Sequence, residues 1–139
     1  MITWEYIAGL FDGEGCIHVM TNASGNPQLK LTITQANQPF LYLIKTFTGF
    51  GAVQDNKNGV WCWRLTKRED IKAFLANLIP HLILKKAEAE TALAICELNP
   101  VQGRHTPPED REKQAQLASQ LREIAARRKE DRLSIQEVA

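Results

Sequence analysis

The chain has 139 residues, 44% of them apolar and 24% charged, with a formal net charge of +1. That is enough apolar material for one packed domain and gives no compositional sign of disorder. The apolar runs, such as "FLYLIKTF" and "HLILKK", are short, and the N-terminus has no charged stretch leading into a hydrophobic core and cleavage site, so neither a membrane span nor an export signal is expected. Cys16, Cys62 and Cys96 are an odd count with no CxxC pair, which argues against a disulfide framework or a thiolate metal site. They read as reduced, mostly structural thiols of an intracellular protein. Near-neutrality leaves nucleic acid open, because a basic footprint can occupy one face of a neutral chain.

In chain order, Thr3 is placed to cap a helix through "WEYIAGLFDG", with Tyr6, Ile7, Leu10 and Phe11 as an apolar stripe and Gly13 and Gly15 to end it. In "CIHVMTN", Ile17 and Val19 alternate with His18, Met20 and Asn22. After the turn residues "ASGNP", Leu29, Leu31 and Ile33 alternate with Gln28, Lys30, Thr32 and Thr34. Asn37 and Pro39 open a second helix, "FLYLIKTFT", which Gly49 closes, and "GAVQD", "NKNG" and "VWCWRLT" form a second hairpin. Thr66 is placed to cap "KREDIKAFLANLI", Pro80 breaks that helix, and "LKKAEAETALAICEL" makes another. "NPVQGRHTPPED" is a loop before a last helix, whose "REKQAQLASQLREIAARRKEDR" reads as a solvated face of mixed charge. The expected architecture is α+β: an αββαββα core over residues 1–100 and a helical C-terminal extension of the same domain over 101–139.

Both hairpins bury one face, so the four strands are expected to form one antiparallel sheet with helices on one side and the other side open. That open side would carry Asn22, Gln28, Lys30, Thr32, Gln54, Asn56 and Arg64. Amide, hydroxyl and cationic groups of this kind suit base edges and phosphates, and a two-stranded ribbon fits the major groove.

"IAGLFDGEG" adds a second signal. Gly9 and Gly13 lie four apart on one helix face beside Ala8, a pattern that lets two helix backbones approach closely. If the partner is the same helix of a second copy, a two-fold axis brings both Glu14 carboxylates together at the helix ends. Such a pair repels unless a cation lies between the acids, and hard oxygen ligands suit Mg²⁺ (or Mn²⁺) beside a phosphodiester.

The run Ala8, Gly9, Leu10, Asp12, Gly13, Glu14, Gly15 resembles the LAGLIDADG signature, and a single copy in a chain this short is similar to the homodimeric, intron-encoded LAGLIDADG homing endonucleases. "LTITQ", "GFGAV" and "LIPHLILKKAEA" resemble further segments of that branch. The resemblance implies a site-specific DNA endonuclease that makes a double-strand break in a long pseudo-palindromic target. It implies catalytic roles for Glu14, Gln35 and Lys85: Glu14 and the Gly13 carbonyl as metal ligands, Gln35 near the attacking water, and Lys85 supporting that water or the developing charge. Ala8, Gly9, Asp12 and Gly13 would lie at the dimer interface, with Asp12 stabilising the helix end rather than binding metal. The sequence departs from the family pattern in carrying Glu14 where Asp is commoner, and "QANQPF" lacks a basic group that relatives often have there. Double-stranded DNA and a second copy are the implied partners, with no membrane and no small-molecule substrate. DNA-binding regulators and RNA maturases on the same fold are the alternatives, and Glu14 together with Gln35 and Lys85 favours the nuclease.

Overall fold

The computed structural model describes residues 2–21, 26–98 and 108–138. Its elements run α1 (Trp4–Glu14), β1 (Gly15–Thr21), β2 (Pro27–Gln35), α2 (Gln38–Thr48), β3 (Ala52–Asp55), β4 (Trp61–Leu65), α3 (Arg68–Leu78), a 3₁₀ turn (Ile79–His81), α4 (Lys86–Leu98) and α5 (Pro108–Val138). The α+β order matches the expected αββαββα core with helices after it. None of the helices among these residues is long and apolar enough to cross a membrane.

Local chemistry sets most of the boundaries. The Thr3 hydroxyl accepts from the Tyr6 amide at 3.1 Å and the Asn37 side chain from the Phe40 amide at 3.0 Å, each satisfying an amide that the helix start leaves unpaired. Gly49, at φ 78°, ends α2 in the left-handed conformation that glycine adopts without steric cost. Two expectations fail. Helix α1 passes through Gly13 and ends at Glu14 with Gly15, the other expected terminator, as its C-cap, and the residue at the cap of α3 is Lys67, with no side-chain cap, rather than Thr66. The acids Glu69 and Asp70 in the first turn of α3 place favourable negative charge at a helix start that lacks the side-chain cap expected from Thr66.

The strands form one antiparallel sheet in the order β1-β2-β4-β3. The centre is the β2–β4 pairing, with Leu31 opposite Leu65 and Ile33 opposite Trp63. Alternation turns Ile17, Leu31, Ile33, Trp63 and Leu65 to one side, where they pack with Ile7, Ala8, Phe11, Leu41, Ile44, Ile71, Phe74 and Leu75. The Trp63 ring centroid lies 5.1 Å from that of Phe74, and its indole N–H donates to the Phe50 carbonyl at 3.0 Å, so the largest core side chain is also polar-satisfied. Any Cβ at Gly51 (φ 93°) would collide with this indole. Helix α5, read as a solvated charged face, in fact buries Gln114, Ala118 and Leu121 and packs along α4.

Candidate active site and DNA-facing surface

Two acids two residues apart at the end of α1 have opposite environments. Asp12 is tied down: its Oδ2 accepts from the Ile83 amide at 2.8 Å and its Oδ1 from the Lys85 amide at 2.9 Å. It thereby fixes the loop that leads into α4 and pays its desolvation with two backbone donors. Glu14 is exposed, and its Oε2 accepts from Gln35 Nε2 at 2.6 Å. The register Gly15 opposite Ile33 explains this meeting, since it sets the start of β1 beside the end of β2. Gln35 shares the inward parity of Ile33, and only its place at the strand end lets it reach out to the acid.

Lys85 is brought to the same helix end from the other side. It is 3% exposed, and its Nζ donates to the Asp12 carbonyl at 2.6 Å. Burial holds its pKa below the usual lysine value; Arg128 pushes the same way, and Glu88, Asp12 and Cys16 oppose. The ammonium therefore lies under the α1 terminus, bonded to backbone, while the Glu14–Gln35 pair faces outward.

Glu14 and the carbonyl of Gly13, one of the last four of α1 that have no helical partner, are hard oxygen donors of the kind Mg²⁺ prefers. No group of three His, Cys, Asp or Glu suited to a metal occurs among the described residues. The chain offers one free-facing carboxylate here, that of Glu14, because the Asp12 oxygens are taken by backbone amides.

Gly9 and Gly13 are exposed, and a Cβ at either would meet nothing within 4 Å. The subunit's own packing gives no reason for glycine at either position. Ala8 differs from expectation: it is fully buried in the subunit core, because the α1 stripe that faces the sheet is Ile7, Ala8 and Phe11. Its side chain has no outward surface, whereas Tyr6 on α1 and Ile83 and Leu84 in the segment whose Ile83 amide bonds Asp12 are 50%, 82% and 66% exposed.

The open face of the sheet carries the row Cys16, Thr32, Arg64 and Ala52, the pair His18 and Lys30, the pair Met20 and Gln28, and the row Thr34, Cys62 and Gln54. Gln28, Lys30, Thr32, Gln54 and Arg64 thus share one surface. Asn56 lies past the end of β3 in the turn, and Asn22 is outside the described residues. The sequence candidates missed His18, which sits midway along the edge strand β1 on this face with its Nε2 3.5 Å from Thr32 Oγ1. Burial, and then Lys30, hold its pKa below the usual histidine value. Its alternation with Ile17 and Val19 was the signal that placed it there.

Comparison with known proteins decides the family: the LAGLIDADG endonuclease model matches residues 7–93, more than half of the chain, including Gly13, Glu14, Gln35 and Lys85. The chain belongs to the LAGLIDADG endonuclease family. None of the curated proteins matches it. Among solved structures it is similar to the homing endonuclease I-CvuI, seen with a DNA target and Mg²⁺ and with the DNA uncleaved, at TM-score 0.77 and 22% identity over 87% of this chain and 80% of that one. It is also similar to the archaeal intron-encoded homing endonuclease I-Vdi141I complexed with DNA (TM-score 0.74, 20% identity, 87% and 82% of the two chains). The homing endonuclease I-TnaI matches at TM-score 0.73 and 23% identity over 94% and 97%. At these identities the likenesses establish the LAGLIDADG endonuclease fold.

Proposed function

We propose that this LAGLIDADG protein is a site-specific DNA endonuclease that makes a metal-dependent double-strand break as a C₂ homodimer. The observation that carries the reading is the division of labour at the end of α1, where Asp12 is consumed by backbone amides while Glu14 stays exposed and oriented by Gln35. A carboxylate held outward by a single amide donor is placed to bind something that the subunit itself lacks. Mg²⁺ or Mn²⁺, bound by Glu14 and the Gly13 carbonyl, would supply Lewis acidity to the phosphodiester. Gln35 orients the carboxylate and offers hydrogen bonds to the attacking water. Lys85 and Asp12 keep the helix end in place.

Pairing about Gly9 and Gly13, flanked by Tyr6, Ile83 and Leu84, would cover the exposed apolar groups and bring two Glu14 side chains together, one for each strand. Each subunit's open sheet face, with Gln28, Lys30, Thr32, Gln54 and Arg64, would then follow one half-site of about a helical turn, and Asn56 and Asn22 would extend the contact at the turns. The target is long and pseudo-palindromic. The protein acts on DNA within the cell and has no small-molecule substrate.

The test selects cleaved sites from a randomised DNA library with Mg²⁺, alongside sedimentation of the protein. Wild type should sediment as a dimer and cut both strands, and Glu14→Gln should abolish cleavage while retaining DNA affinity. Cleavage by Glu14→Gln at wild-type rate would sink the assignment, and DNA binding without cutting by wild type would favour a regulator.

A further inference from the structure

Helix α5 lies beyond the segment that carries the family match, yet it reaches the buried side of the same helix end. Arg128 Nε donates to Glu88 Oε1 at 2.6 Å, and the Glu88 side chain is 2% exposed. Glu88 lies in the first turn of α4, three residues after Lys85, whose carbonyl accepts the Ala89 amide at 2.9 Å, and Glu88 and Arg128 influence the Lys85 ammonium with opposite sign. Lys85 in turn bonds the carbonyl of Asp12, immediately before Gly13 and Glu14. Hydrogen bonds thus join α5 to Glu88 and Lys85 to the end of α1, and the first turn of α4, closed by that bond from the Ala89 amide to the Lys85 carbonyl, links the two. A buried ion pair is a poor source of stability, because desolvation offsets its attraction. The pair instead ties the first turn of α4, which starts directly after Lys85, to α5.

We propose that Arg128 is a positioning residue of the cleavage centre, which acts through Glu88 to hold Lys85 against the α1 terminus and makes α5 part of the catalytic unit rather than an appendage. The proposal rests on the nuclease reading above. Arg128 touches no substrate. Removing its support should loosen the amides of Ile83 and Lys85 and slow the chemistry without altering the sheet face.

The experiment compares wild type, the paired variant Glu88→Met/Arg128→Leu, Arg128→Gln and Arg128→Lys on one selected target under single turnover. The paired variant replaces both charges by apolar groups of similar size and should fold, and Arg128→Gln keeps a donor for Glu88 without the charge. Both should cut about 10- to 100-fold more slowly, the range typical of groups that orient metal-site residues. Both should keep DNA affinity within about twofold and show faster hydrogen exchange at the Ile83 and Lys85 amides. Arg128→Lys, which retains the charge, should recover most of the rate. The inference is overturned if both charge-removing variants cut at the wild-type rate, or if rate and DNA affinity fall in proportion. Wild type that cuts no DNA would remove the nuclease reading, and this inference with it; that outcome differs visibly from equal cutting by all variants.

Discussion

The same elements present two surfaces that differ in nearly every physical respect. Strand β4 turns Trp63 and Leu65 into the core and Cys62 and Arg64 to the open face, and α1 turns Ile7, Ala8 and Phe11 inward and Gly9 and Gly13 outward. The inner surface is built of buried apolar side chains; the outer one holds cations, amides, His18 and glycines with empty space above them. Core packing and the proposed DNA contacts are thus separated by one residue along each strand. Substitutions on the two sides should fail in different ways.

The largest effect is expected inside. Trp63→Ala removes a fully buried ring that packs on Phe74 and bonds Phe50, and should cost about 3–5 kcal/mol in urea denaturation. The base preferences of whatever protein remains folded should not change. A variant that kept its stability but lost sequence discrimination would mean that Trp63 belongs to the recognition surface.

Gly9→Leu should do the reverse. Within the subunit the new side chain meets nothing, and helix propensity rises by roughly 1 kcal/mol, so thermal stability at low concentration should hold or increase. Dimerisation should weaken by about 1–3 kcal/mol through overpacking at the seam, and cleavage should fall with it. Unchanged sedimentation would place the seam elsewhere.

On the open face, Arg64→Ala should relax discrimination at particular base positions by about 1–3 kcal/mol if the guanidinium reads a base edge. A uniform loss over all sequences, with a shallower salt dependence, would make it a phosphate contact instead.

The smallest effect is a titration from the inner side. Burial pushes the Cys96 thiol up to about 11 from 9.0. Between those values the folded chain keeps a proton that the unfolded chain releases, so stability should fall as pH rises, by at most about 1.4 kcal/mol per pH unit. Cys96→Ala should remove that slope. A slope equal to wild type would show that the thiol titrates normally.

By itself the sequence determined the elements and which side of each strand is polar, because periods of 2 and 3.6, cap residues and turn glycines are local properties that act within a few residues. The signature at 7–15 likewise made Glu14 a candidate, with Gln35 and Lys85 following from the resemblance. Only the tertiary structure decided the strand order β1-β2-β4-β3, which sets Arg64 beside Thr32. It also turned Ala8 into the core, gave Asp12 to the amides of Ile83 and Lys85, and joined Arg128 to Glu88 across 40 residues. These outcomes rest on register and on packing between segments far apart in the chain. A long helix of mixed charge shows no local sign of which face another helix will cover, and two acids in one motif look alike until distant donors choose between them.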